Sequence, residues 1–377
     1  MKTLLHPYNF LRVLPFFIVL SACGQESEVS PAPDTVFEPL APGTGIGEAR
    51  DITSFDLVSE MGVGWNLGNS FDTRAEDKTQ WGNPLPSKAI IDEVRKRGFS
   101  TLRIPITWEF HQSDEAPYTV DEDYLERVKA VVDYGFTNRM HVIINVHHDN
   151  DWVVPEASKA TTSAERLSSL WTQVANYFEA YNDSLIFETL NEPRIEGSTT
   201  EWTGGTAEGR SFINEFNKTA VDAIRATGGN NALRHIMIPT WAASTTPAAM
   251  DDLVVPNDDP KIIISLHSYF PWPFAGEAKT SWGSDNDKQA LTNELDKIRQ
   301  KWIVEEDRPV ILGEWGTIEQ NELATRISYA DFYAREAAQR GLLTIVWDDG
   351  GMFRMFNRRS LSWDYDEIAT AIVEASK

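Results

Sequence analysis

The chain has 377 residues, enough for a large core, and a formal charge of −23. That acid excess excludes a nucleic-acid groove or an anionic-lipid patch, both of which need clustered Lys and Arg, and leaves a neutral partner compatible. Thirteen tryptophans supply flat aromatic faces that suit sugar rings as well as a core.

At the amino end, Lys2 and Arg12 precede the apolar run Leu14-Pro15-Phe16-Phe17-Ile18-Val19-Leu20, which is too short to span a bilayer and has the form of an export signal. It closes on Leu20-Ser21-Ala22-Cys23, which resembles a bacterial lipoprotein box cut before the cysteine. Cys23 is the only cysteine, so it stands where lipidation needs one and no disulfide can form within the chain. Residues 1–22 are therefore read as a lipoprotein signal peptide. Gly24 after Cys23, in place of Asp, suggests by resemblance to lipoprotein sorting the outer membrane or cell surface. Residues 23–50, rich in proline and acids, have the composition of a flexible tether, and the folded domain is expected over 51–377.

From Asp51 onward, short β-branched runs alternate with segments of helical period, the pattern of βα units around a parallel sheet. Strands are predicted at 62–67, 101–106, 141–147, 185–192, 235–240, 262–269, 310–315 and 342–348. Helical stretches are predicted at 87–97, 124–134, 164–181, 212–226, 293–303 and 329–340. Eight such units close into a single (β/α)8 TIM barrel. A doubly wound open sheet is the alternative, but no Gly-rich phosphate turn follows the first strand.

A barrel gathers its chemistry at the carboxyl ends of its strands. Those ends carry Asn66, Arg103, His147 with His148, Asn191 with Glu192, Thr240 with Trp241, His267 with Tyr269, Glu314 and Trp347. A purely structural barrel has no reason to ring one mouth with Arg, His, Tyr and two Glu, each of which must find partners or shift its pKa. Two carboxylates across such a mouth equip a retaining glycosidase, with Glu192 as acid/base and Glu314 as nucleophile. Asn191 can bond the sugar 2-hydroxyl, Arg103 and Tyr269 can hold Glu314 ionised, and His267 can tune the proton of Glu192. On these roles Glu192 needs a raised pKa and Glu314 a lowered one.

His147-His148-Asp149 with Asp151 could be read as a metal cluster. Neighbours on a regular strand face opposite ways, so His147 and His148 are not expected to ligate together, and neither a metal nor a cofactor is expected. Trp65, Trp81, Trp108 and Trp241 sit at or beyond strand ends, where sugar stacking and rim packing are equally open, whereas Trp171 and Trp302 fall in helical patterns and should be core. Asn66 and Asn69 in "NLGN" are either substrate contacts or turn residues.

The segments "GVGWNLGNSFD", "QWGNP", "TLRIPITW", "HVIINVHHD", "FETLNEPR", "SLHSY", "ILGEWG" and "TIVWDDGG" together resemble glycoside hydrolase family 5, cellulase family A, from Asp51 to Ile372. The resemblance implies the acid/base after the fourth strand and the nucleophile after the seventh, which fall on Glu192 and Glu314. By position it carries over Arg103, His147, Asn191, His267 and Tyr269 as active-site residues and Trp347 as the platform beneath the sugar at the cleavage point. "WGNP" and "FNRRSLSW" resemble the branch rich in endo-β-1,4-glucanases, xyloglucanases and mixed-linkage glucanases, while "SYFPWPFAG" and Asp349 in "WDDGG" depart from it.

The expected activity is retaining, internal cleavage of β-1,4-glucan by a tethered monomer whose only membrane contact is its lipid anchor. Asn66, His148 and Trp241 join Trp347 as candidate substrate contacts. A β-1,4-mannanase on the same scaffold is the competing enzyme reading. A non-catalytic glycan-binding lipoprotein, with Trp272, Trp315 and Trp347 as platforms, is the competing reading outside catalysis.

Overall fold

The structure, a computed structural model, describes residues 45–377; the expected signal peptide, Cys23 and most of the expected tether lie outside these residues. Eight strands form a closed parallel barrel in sequence order: β1 (Gly64–Asn66), β2 (Thr101–Ile104), β3 (His141–Asn145), β4 (Leu185–Glu188), β5 (Ile236–Pro239), β6 (Ile262–His267), β7 (Val310–Glu314) and β8 (Leu343–Val346). Their Val- and Ile-rich runs are buried on both faces, as parallel strands under helices must be. The main helices around them are α2 (Lys88–Arg97), α3 (Glu122–Thr137), α4 (Ala160–Tyr177), α5 (Ala207–Ala226), α8 (Asp285–Arg299) and α9 (Leu323–Gln339).

The predicted strands are the observed ones, but most predictions overran the carboxyl ends. His147 and Glu192 stand beyond β3 and β4, on segments tied to the barrel by a few bonds, from His147 N to Ile106 O (2.8 Å), Thr189 N to Met237 O (2.9 Å) and Asn191 N to Val146 O (2.8 Å). These bonds hold the rim while freeing its side chains from strict alternation.

Three parts had no counterpart among the predicted elements. The short α1 (Ser54–Glu60) is started by a Thr53–Asp56 capping box. The short hairpin β9 (Phe356–Asn357) and β10 (Ser362–Trp363) follows β8, and α10 (Asp366–Ala375) closes the ring against α9. Helices α6 (Pro247–Asp251) and α7 (Trp272–Ala275) are single turns in loops. Contacts with the barrel already begin at Gly45, ahead of Asp51: Gly47 N bonds Ala180 O and Arg50 bonds Asp183.

The barrel interior is layered. Ile143, Ile186, Met237, Ile263, Ile311 and Ile345 fill its lower part, with Leu57 and Val58 of α1 and Met61 just after it plugging it from below. Two residues further along the strands the interior turns polar, at Arg103, Asn145, Glu188 and Ser265, all fully buried. That polar layer is the floor of the site.

Candidate active site

Arg103 organises the floor. Its Nε donates to Glu188 Oε2 (2.8 Å), Nη1 to Asn66 Oδ1 (2.9 Å) and Glu314 Oε1 (2.9 Å), and Nη2 to Asn191 Oδ1 (2.7 Å). Every branch of the planar fork is used, a geometry a lysine cannot copy. Because the Asn191 carbonyl is taken by Arg103, its amide N–H is left to donate toward the mouth.

Asn145 continues the same logic. Its Nδ2 donates to Glu188 Oε2 (2.9 Å) and contacts His147 Nδ1 (3.1 Å). The His147 proton then belongs on Nε2, which lies 3.9 Å from Glu314 Oε1. Burial, with the charges of His148 and Arg103 adding, holds His147 well below the ordinary histidine range, so it is neutral.

His267 joins the two expected carboxylates. Its Nδ1 lies 2.7 Å from Glu192 Oε1 and 3.6 Å from Glu314 Oε2, and Tyr269 donates its hydroxyl to Glu314 Oε2 at 3.0 Å. One oxygen each of Glu192 and Glu314 and a His267 nitrogen lie within 4.8 Å of one another. Arg194, absent from the sequence expectations, reaches the Glu192 backbone carbonyl (2.9 Å) and lies 3.5 Å from its Oε2.

The electrostatics reverse both expected shifts, the raised pKa of Glu192 and the lowered one of Glu314. Burial pushes both carboxyls up, but at Glu192 the His267 bond and charge, with Arg194 and His148, overcome it and the group ends below the ordinary range. At Glu314 burial outweighs the His267 and Arg103 charges, the Glu192 charge adds to it, and the group ends raised. Burial alone would lower His267, yet the charge of Glu314 and the bond to Glu192 raise it. Both shifts, down at Glu192 and up at His267, favour the proton on His267 over Glu192. The sequence reading credited Arg103 to Glu314 alone, whereas the same guanidinium also serves Glu188.

Trp347 lies parallel to His147, ring centroids 5.9 Å apart, with its edge against Gly68, where a Cβ would come within 2.7 Å of the indole. Gly68 is thus needed for space. Arg358 of "FNRRSLSW" donates to Gly68 O and Asp348 O, and Asn83 of "WGNP" donates to Asn69 O and Asp349 O. Both motifs fasten the loops after β1 and β8 together around the Trp347 ring.

Two expected substrate contacts, Asn66 and Trp241, are closed off, and a third, His148, is not. Asn66 is fully buried and its Nδ2 donates to Gly313 O at 2.8 Å, so it braces Arg103 instead of meeting a sugar. Trp241 is also shut off, 1% exposed, because Gly205 and Gly209 leave room for its ring and Glu201 O accepts its Nε1–H at 2.7 Å. His148 remains partly open, edge-on to Trp81. Trp65, Trp108 and Trp315 are buried, as are Trp171 and Trp302, while Trp81, Trp202 and Trp272 are exposed.

The strand-geometry argument against joint ligation by His147 and His148 also fails. Both lie beyond the end of β3, their ring centroids are 4.4 Å apart, and ligand atoms of the two with one of Asp72 lie within 4.8 Å of one another. Asp72 already accepts from the Asn69 and Ser70 backbone, and His147 Nδ1 already faces Asn145.

Glu188, like Arg194, is absent from the sequence expectations. Period-2 alternation could have found it, since Ile186 faces the barrel interior and the residue two along a strand faces the same way.

The family model Cellulase (glycosyl hydrolase family 5) matches residues 63–352. The chain belongs to glycosyl hydrolase family 5. As a family 5 glycoside hydrolase it is 45% identical over 345 residues to Endoglucanase B of Clostridium cellulovorans, covering 88% of this chain and 77% of that protein. It is 46% identical over 336 residues to Cellulase/esterase CelE of Acetivibrio thermocellus, covering 87% of this chain and 41% of that longer protein. The structure of ZgEngAGH5_4 in complex with a cellotriose superposes with a TM-score of 0.86 at 50% identity, covering 87% of this chain and all of that one.

Proposed function

We propose that this family 5 hydrolase cleaves β-1,4-glucan chains internally with retention of the anomeric configuration. The observation that carries the reading is the closeness of the two carboxylates, with oxygens of Glu192 and Glu314 within 4.8 Å. That closeness favours the ~5 Å arrangement of retaining enzymes over the wider one of inverting enzymes. Likeness to endoglucanases and to a cellotriose-bound structure supports a glucan in the cleft.

In the first step a Glu314 oxygen attacks the anomeric carbon as the glycosidic oxygen leaves. Arg103 and Tyr269 hold the nucleophile, and Glu192 passes to the leaving oxygen a proton drawn from His267 Nδ1 across their 2.7 Å contact, ending the step as a carboxylate. In the second, Glu192 takes a proton from water, which attacks the glycosyl ester and frees Glu314. The Asn191 amide, aimed by Arg103, bonds the 2-hydroxyl as charge develops, and Trp347 carries the sugar ring.

Glu192→Ala should keep fast glycosyl-enzyme formation with an activated aryl cellobioside and give the β-glycosyl azide when azide is added. Glu314→Ala should lose that step and give the α-azide. Swapped products would swap the roles. Initial rates on β-1,4-glucan, xyloglucan and mixed-linkage glucan should exceed the rate on β-mannan at matched concentration; a faster rate on mannan overturns the substrate assignment.

The Leu20-Ser21-Ala22-Cys23 box supports export and lipidation at Cys23, with acyl chains as the only membrane contact. Wild-type protein found wholly soluble and without acyl mass would end that reading.

A further inference from the structure

The Arg103 guanidinium has two carboxylate partners, and only one of them faces the mouth. Glu188 is fully buried at the floor. Its Oε2 accepts from Arg103 Nε at 2.8 Å and Asn145 Nδ2 at 2.9 Å and lies 2.8 Å from Arg103 Nη2, while its Oε1 accepts from Ser265 Oγ at 2.6 Å. A carboxylate removed this far from water is costly to keep unless it is fully bonded. This one is bonded by side chains from three strands.

We propose that Glu188 is a positioning residue that fixes the Arg103 fork and, by sharing its charge, sets how strongly Glu314 is held ionised. Glu188 holds Nε and one side of Nη2, which aims Nη1 at Glu314 and Asn66 and the other side of Nη2 at Asn191. The groups facing Glu188 are Arg103 from β2, Asn145 from β3 and Ser265 from β6. Those facing Glu314 are Arg103, His147, His267, Tyr269 and Glu192. Arg103 is the only member of both sets. Whatever pulls its charge toward Glu188 weakens its hold on the nucleophile, and the reverse.

The inference rests on Glu314 being the nucleophile, and the two can fail separately. If Glu314→Ala still forms glycosyl-enzyme from an activated aryl cellobioside, the nucleophile assignment fails. If it does not, the acid limb of kcat/KM against pH for that substrate, which needs no protonation of the leaving group, reads Glu314.

Glu188→Gln keeps the shape and removes the competing charge. Its acid limb should move down by roughly one pH unit, the effect of an opposite charge a few ångströms away that is no longer shared. The plateau kcat should fall roughly tenfold as the fork loosens. Ser265→Ala leaves every charge in place but removes one donor from Glu188, so that carboxylate should draw harder on Arg103 and the acid limb should move up. Opposite shifts are the signature, because damage to packing alone lowers activity without moving the two limbs apart. An acid limb in Ser265→Ala that stays at the wild-type position or moves down overturns the proposal, whether or not Glu188→Gln folds.

Discussion

Trp241 and Trp272 show how a single residue type divides between structure and binding. Trp241 is sealed under the loop after β4, and Trp272 stands half-exposed, its ring lying over Gly276 and edge-on to Tyr269 at 6.0 Å. Trp241→Ala should therefore destabilise by about 3–5 kcal/mol, the cost of emptying a large buried site, with KM on soluble glucan little changed. Trp272→Ala should leave the melting temperature within about 2 °C, since surface changes rarely exceed 0.5 kcal/mol, and should raise KM. Thermal melts beside steady-state kinetics separate the two, and the reverse pairing would contradict these placements. Neither outcome was legible in the sequence, where both tryptophans simply stand near strand ends. Accessibility depends on which loop folds over which ring, and that is a long-range property.

The elements were the most legible level. Alternating β-branched runs and amphipathic segments marked all eight strands and the major helices, because parallel strands buried on both faces must be apolar throughout. What the pattern lacked was an end signal. "HVIINVHHD" and "FETLNEPR" read as strands as far as His147 and Glu192, yet regular pairing stops at Asn145 and Glu188, and the candidate site positions lie on the relaxed segments beyond. Helix α1 was missed because seven residues give too few turns for a period to show, although its Thr53–Asp56 cap is a local start signal. Its role is at the bottom of the barrel, far from the chemistry. Leu57→Ala should open a cavity under Ile143 and Ile186 and cost about 2–5 kcal/mol, seen as a lower denaturant midpoint, with kcat unchanged at a temperature where the variant is folded. A large loss of kcat in folded variant protein would show that the plug reaches the site.

At the scale of the whole molecule, acid response is set by groups of opposite sign. Burial lowers His111, His148 and His235 to about 4 each. Their unfolded counterparts bind protons near 6.5, so the stability they confer is complete above 6.5 and is lost as pH falls toward 4. Burial raises Asp72 and Asp149 to about 6, and their contribution runs the other way, present at low pH and lost as pH rises through 6. The two sets partly cancel between 4 and 6, so the melting temperature should slope gently there. His235→Gln removes one member of the first set, together with the contact from Ser54 Oγ to His235 Nδ1 at 3.0 Å. It should destabilise at pH 8 and do so by less at pH 4, the gap closing by up to about 3 kcal/mol. Equal destabilisation at both pH values would contradict a buried, neutral His235. The charge layout also bears on the proposed chemistry, in which Glu314, held by Arg103 and Tyr269, forms a glycosyl ester. An activated 2-deoxy-2-fluoro cellobioside tests that directly, by slowing ester hydrolysis so the intermediate can be weighed and mapped. The account predicts one added fluoroglycosyl mass per chain, on the peptide carrying Glu314; a stoichiometric adduct on Glu192 or any other residue, or no adduct with an inverted first product by proton NMR, would contradict it.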